Sequence, residues 1–189
     1  MSKLPLFPLS AHLLPGGRMA LRIFEPRYLR MVKDVCANES TFAVCMLKAD
    51  GVIEENTHIH KVGTVSKVVD FDVLEDGLLG ITVEGIYSAN ISQVESESDG
   101  LRIGLCEQAG GWSCSIDKNQ MSPMNQRLEE IFEKYPEVNA LYSSPKFDDP
   151  IWVIHRWLEL LPVDASQKQH FLEQKDCNKA LQFLRELIE

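Results

Sequence analysis

Met19-Ala20-Leu21-Arg22-Ile23-Phe24-Glu25-Pro26-Arg27-Tyr28 is the stretch on which the fold turns. An extended run, Met19 to Phe24, follows a Pro15-Gly16-Gly17 turn and passes at Glu25-Pro26 into a helix. Proline suits the first helical position because no amide donor is needed there. Beyond it Tyr28, Leu29, Val32, Val35 and Cys36 recur at helical spacing, and Arg27, Arg30, Lys33 and Asp34 are left to face water.

Outward from this stretch the texture is mostly that of strands. Leu4 to Leu9 reads as extended, and Pro5 and Pro8 make it an edge or irregular strand. Phe42 to Leu47 is a short apolar run. Lys61 to Leu74 is rich in valine, with Ser66, Asp70 and Asp72 interrupting. Leu79 to Val83, Ile86 to Val94 and Leu101 to Cys106 complete the set, with turn signals at Asp50-Gly51, Asp76-Gly77 and Asp99-Gly100. Short strands at this spacing predict a small, mostly antiparallel barrel or sandwich with one inserted helix.

After residue 110 the period changes. Gly110 to Gln120 reads as a linker or loop, pinned by Trp112 and Ile116. Helical stripes follow. One opens at Ser122-Pro123 and stops at Pro136; a second opens at Asp149-Pro150 and stops at Pro162; Asp164 has capping-box spacing to Gln167; Asp176 starts the last. The expected organisation is therefore α+β, with a β-domain over 1–110, a linker over 111–120 and a helical bundle over 121–189.

Composition bounds the function. Of 189 residues, 44% are hydrophobic and 25% charged, the balance of an ordinary globular chain. The net charge of −9 is spread along the chain. Neither half carries a basic patch to neutralise phosphates, so no nucleic-acid partner is expected. No apolar run approaches the ~20 residues that span a bilayer, so no membrane partner is expected either. The amino terminus, broken by two prolines, is not a signal peptide. Five cysteines, odd in number and widely spaced, read as reduced thiols in a cytoplasmic protein.

Several chemistries can be weighed residue by residue. A P-loop needs two glycines with four residues between them, then lysine and a hydroxyl residue; Gly16-Gly17-Arg18 lacks this, and no other segment has it. No serine sits in a recognisable protease context. His58 and His60 would share one face of a strand, but further zinc ligands are not evident and no Cys-x-x-Cys occurs. They read as exposed histidines of a polar hairpin, and neither metal nor cofactor is expected. Asp70 with Asp72 reads as a solvent-facing pair, and Asp148 with Asp149 as a cap on the helix at Pro150. Trp152 and Trp157 read as buried, locking the helices to the β-domain, against an exposed sticky patch.

The ordered landmarks resemble a known family. Leu4-Pro5-Leu6-Phe7-Pro8-Leu9, Leu14-Pro15-Gly16-Gly17 and Leu21 through Tyr28 are similar to the opening of the Lon amino-terminal domain. Val62-Gly63-Thr64-Val65, Val83-Glu84-Gly85 and the closing segment from Leu161-Pro162 through Lys168, Leu172, Asp176, Leu181 and Leu184 follow in the family's order. The resemblance implies a PUA-like β-domain followed by helices. It also implies a part in capturing unfolded or tagged polypeptide, in a single-domain relative that ends at Glu189 before any ATPase or protease module.

The expected function is therefore a non-catalytic module that binds extended polypeptide or a protein partner. Arg22, Phe24, Glu25, Arg27 and Tyr28 are the candidate recognition residues, because arginine and tyrosine are enriched at binding hot spots. A structural reading competes: Glu25-Pro26 starts the helix, Tyr28 enters its buried stripe and Arg27 bridges to an acidic neighbour. Two other functions stay open, a small hydrolase or transferase with a site in the cleft between the halves, and an RNA-binding PUA-like protein. The oligomeric state is left open.

Overall fold

The computed structural model describes residues 1–188. Glu189, the expected end of the helical part, lies outside the described residues. By contact the chain divides into one unit over Met1–Ala109 and a second from Gly110 onward.

The first unit is built from β1 (Ser2–Leu9), β2 (Arg18–Ile23), α1 (Pro26–Ala37), β3 (Phe42–Met46), β4 (Val62–Val73), β5 (Leu79–Ser96) and β6 (Arg102–Gln108). Strand order is β2-β5-β4-β3-β1-β6, and β5 pairs with β6 as well. The sheet thus curls back on itself without closing into a regular barrel. All pairs are antiparallel except β1 with β3. The expected break at Glu84-Gly85 is absent: β5 runs through it as one strand of 18 residues. Its first part serves β2 and its last part serves β6.

Side chains alternate across the strands and feed two apolar clusters. Phe42 and Val44 of β3 join Phe7, Ile23, Ile81 and Val83 beneath Tyr28, Met31, Val32 and Val35 of α1. Ala43 and Cys45, one residue out of phase, join Leu6, Val65, Ala89, Ile91 and Cys106. Burial drives the Cys45 thiol well above the ordinary range and pushes Cys106 up to about 11. Neither thiol is a nucleophile near neutral pH. The helix periodicity is right, but Leu29 and Cys36 fall on its exposed side.

The second unit holds a single 3-10 turn at Lys118–Met121 and then α2 (Met124–Lys134), α3 (Pro136–Asn139), α4 (Pro150–Leu160), α5 (Ala165–Leu172) and α6 (Asn178–Ile188). Pro136 ends one helix and opens the next, using its missing donor twice. The Asp149 carboxylate accepts from the amides of Ile151 and Trp152, the expected cap. Asp164 accepts from the Ser166 amide, and Asp176 from that of Asn178. Trp152 and Trp157 are buried, as expected, and each has partners in the helical unit. Trp152 packs edge-on against Phe132, Tyr142 and Phe147, and the Trp157 indole donates to the Met124 carbonyl at 3.0 Å.

Cys114 and Cys177, expected as thiols, are joined in a disulfide with a Cα–Cα distance of 6.2 Å. A separation of 63 positions hid the pairing from a reading of local texture. Trp112 is pinned as expected, its indole donating to the Phe171 carbonyl at 3.0 Å.

Lys168 is 2% exposed, and burial lowers its pKa to about 8, with Glu159 opposing. The folded chain therefore binds fewer protons than the unfolded chain between about pH 8 and the ordinary lysine value of 10.5. Stability should rise with pH through that window. Measured as Tm, the wild-type chain is expected to gain on Lys168→Met between pH 8 and 10. A constant difference across that range would contradict the assignment.

Candidate functional site

β2 is the edge of the sheet, and the extended backbone leaves it at Ile23 to enter α1 through Glu25 and Pro26. Opposite, the pairing of β1 with β6 ends at Leu6↔Arg102, so Phe7 to Leu9 continue beyond that partner. A cavity of about 370 Å³ lies here, lined by β2, the end of β1, the start of α1 and the first residue of β6. The five residues singled out from sequence, Arg22, Phe24, Glu25, Arg27 and Tyr28, all line it.

The walls and rim are apolar. Phe24 is 63% exposed, Ile53 56% and Leu47 41%, and all three border the opening. Exposed apolar side chains gathered around one cavity are a mark of a binding surface. Phe7 and Tyr28 form the inner wall, their ring centroids 4.3 Å apart. Burial raises the Tyr28 pKa, so the phenol keeps its proton and can donate or accept.

The floor is cationic. Arg27 expected water but is half-buried, its Nη2 donating to the Glu25 carboxylate at 2.8 Å and its guanidinium lying 4.9 Å from the Tyr28 ring centre. The structural roles anticipated for Glu25, Tyr28 and Arg27 are all present, and they coexist with a lining position. Arg22 is ion-paired with Asp76. Phe24 alone of the five is largely exposed without a structural task that the sequence pattern required of it.

Sequence reasoning missed Arg102, His58, Leu47 and Ile53, which complete the lining. His58 is 7% exposed, not the exposed hairpin residue expected. Its Nδ1 is buried without a hydrogen-bond partner. Burial, then the charges of Arg102 and Arg27, lower its pKa, so the imidazole is neutral near pH 7. No local pattern marks these residues: Leu47, Ile53 and His58 are scattered along the segment between β3 and β4, and Arg102 opens β6. Asp70 and Asp72 accept from the amides of Phe71 and Val73 and stay exposed on the β4–β5 hairpin, away from this lining. Among the described residues no cluster of three or more His, Cys, Asp or Glu has metal-binding geometry, and no helix is long and apolar enough to cross a membrane.

Comparison with known proteins places this architecture. A crystal structure of a Lon N-terminal domain protein from Xanthomonas campestris has a TM-score of 0.76 and 29% identity, with 100% of both chains covered. The N-terminal domain of the Mycobacterium avium complex Lon protease shares the fold, with a TM-score of 0.70 at 14% identity, covering 98% of this chain and 97% of that one. The Lon protease of Bacillus thuringiensis (strain Al Hakam) is 23% identical over 193 residues, 98% of this chain and 24% of that protein. The Lon protease of Escherichia coli (strain K12) is 26% identical over 136 residues, 68% of this chain and 17% of that protein. The chain thus spans about a quarter or less of these full-length relatives. The family described as the ATP-dependent protease La (LON) substrate-binding domain matches residues 3–189. With the curled sheet, the helices after it and the sequence landmarks in that order, the chain belongs to the Lon substrate-binding domain family.

Proposed function

We propose that this chain is a non-catalytic recognition module that takes extended or unfolded polypeptide into the cavity beside Phe24 and Tyr28. The observation that carries this is the rim of exposed Phe24, Leu47 and Ile53 around a cavity at the sheet's edge strand. An extended chain can lay apolar side chains into such an opening and set its backbone along β2. The residues that line it hold one another by ion pairs and ring contacts, and no nucleophile with a positioned base lies among them. A cytoplasmic place of action belongs to the same proposal; the Cys114–Cys177 bond, of a kind rare in that compartment, stands against it.

Fluorescence anisotropy with a labelled, permanently unfolded (reduced and carboxymethylated) protein is the test, with the native form of the same protein as control. The unfolded probe is expected to bind and the native one not to. Phe24→Ser, at an exposed position, should weaken binding by roughly five- to tenfold while leaving Tm unchanged. Equal binding of both forms, or an unchanged affinity in Phe24→Ser, would overturn the proposal.

A further inference from the structure

Two guanidinium groups meet at the floor of the cavity. Arg27 donates from Nη1 to the Gly100 carbonyl at 3.2 Å, and Arg102 donates from its own Nη1 to the same oxygen at 2.8 Å. One oxygen thus holds two cations together in partly buried surroundings, where their repulsion is less screened than in water. Arg27 has an anionic partner in Glu25. Arg102 has neutral ones: its Nε donates to the Asn56 side-chain oxygen and its Nη2 to the Ile53 carbonyl. Among the described residues no carboxylate lies within ion-pairing distance of Arg102.

The donors are not exhausted. A guanidinium carries five N–H groups. Arg27 uses two of five, leaving three, and Arg102 uses three of five, leaving two. His58 adds a buried Nδ1 without a partner on the same lining. Of the three arginines on the lining, Arg22 is paired with Asp76 and Arg27 with Glu25, so Arg102 carries the uncompensated charge, in a chain whose net charge is −9. An acidic protein has placed a local excess of positive charge beneath an apolar rim. That combination is complementary to a ligand that is apolar at one end and anionic at the other.

We propose that the cavity receives the carboxy-terminal residue of a polypeptide, with its apolar side chain against the rim and its terminal carboxylate on Arg102 and Arg27. This rests on the recognition role proposed above and names the part of the polypeptide that is read. A chain that ends in a large apolar residue carries its carboxylate and that side chain on the same carbon. An internal aspartate or glutamate offers the charge without the apolar group beside it. Arginine is suited to the task because its planar fork matches both oxygens of a carboxylate. The volume, about 370 Å³, is at the small end for a ligand site, which suits the end of a chain better than a long internal segment.

The test uses the whole 189-residue chain and four fluorescein-labelled hexapeptides ending in leucine, isoleucine, methionine or phenylalanine. Each is made with a free carboxylate and as the carboxamide. A third set is amidated and carries an aspartate after the apolar residue. At least one free acid is expected to bind about tenfold or more tightly than its amide, the worth of a charge-assisted hydrogen bond. Arg102→Gln should erase that preference, so that acid and amide bind the variant equally. The acid-versus-amide comparison on the wild-type chain stands alone if Arg102→Gln misfolds. Equal affinity of acid and amide overturns the carboxylate inference while the wider peptide-binding role survives. Equal binding of the aspartyl amides overturns the terminus as the source. Failure of every hexapeptide while the unfolded-protein probe binds also overturns it, and failure of that probe too removes both.

Discussion

Phe132→Ala is expected to destabilise the helical unit by about 3–5 kcal/mol. Phe132 is buried and lies 5.4, 5.2 and 5.9 Å from the ring centres of Tyr142, Phe147 and Trp152. Those three rings also touch one another edge-on, Tyr142 and Phe147 both against Trp152. Removing the shared ring leaves a cavity whose walls belong to α2, α4 and the segment between them, so no single side chain can rotate to fill it. All three tryptophans (Trp112, Trp152 and Trp157) lie in this unit, so intrinsic fluorescence follows its unfolding directly. The midpoint should fall by at least about 10 °C, given how Tm scales with stability in small units. Phe132→Leu, which keeps most of the volume, should recover more than half of the loss. A fall of only a degree or two in the alanine variant would mean that the ring cluster does not hold the helices together.

Gly85→Ala carries the second large effect, about 2–3 kcal/mol, for a different reason. A Cβ at Gly85 would sit 2.6 Å from the Leu14 carbonyl oxygen and 2.9 Å from Thr64 Cγ2. The first of these is backbone, which cannot swing aside. It is also held: the Gly16 amide donates to the Gly85 carbonyl and the Gly85 amide to that of Gly17, both at 2.9 Å. The Thr64 hydroxyl donates to the Leu13 carbonyl at 2.7 Å, fixing the same loop from the other side. A methyl group must therefore push the loop before β2 off the sheet. The expected result is a Tm lower by roughly 5–10 °C in circular dichroism. Because the displaced loop leads into the edge strand that lines the cavity, peptide binding should weaken as well. A variant with wild-type Tm would show that the loop accommodates the added carbon.

Much of the architecture was legible because it depends on neighbours in sequence. Pro26 and Pro150 mark helix starts through a missing donor, Asp149, Asp164 and Asp176 mark them through carboxylates that accept from the first amides, and Pro136, read as a stop, also opens α3. The stripe of Tyr28, Val32 and Val35 identifies the buried face of α1 through its period alone. The long strand β5 reads in the sequence as two runs, Leu79 to Val83 and Ile86 to Val94, because the apolar pattern breaks at Glu84-Gly85. Here glycine serves the close approach of Gly16 and Gly17, a demand that comes from residues about 70 positions away.

The candidate site divides along the same line. Arg22, Phe24, Glu25, Arg27 and Tyr28 could be found from sequence because they adjoin one strand-to-helix junction, and such a junction displays consecutive residues together. Arg102, His58, Leu47 and Ile53 could not, since β6 and the segment between β3 and β4 bring them in from distant parts of the chain. The same holds for Cys114 with Cys177 and for the tryptophans, whose burial was readable but whose partners were not.

Sequence alone determined the α+β class, the succession from strands to helices, the starts of the longer helices and one side of the cavity. Each of these follows from hydrogen-bonding and hydrophobic periods that span a few residues. Only the tertiary structure decided the curl of the sheet, the disulfide, the depth of His58 and the pairing of Arg27 with Arg102 on one carbonyl. Those depend on which distant segments share a sheet or a core, and that choice is made by the packing of the whole chain rather than by any stretch of it.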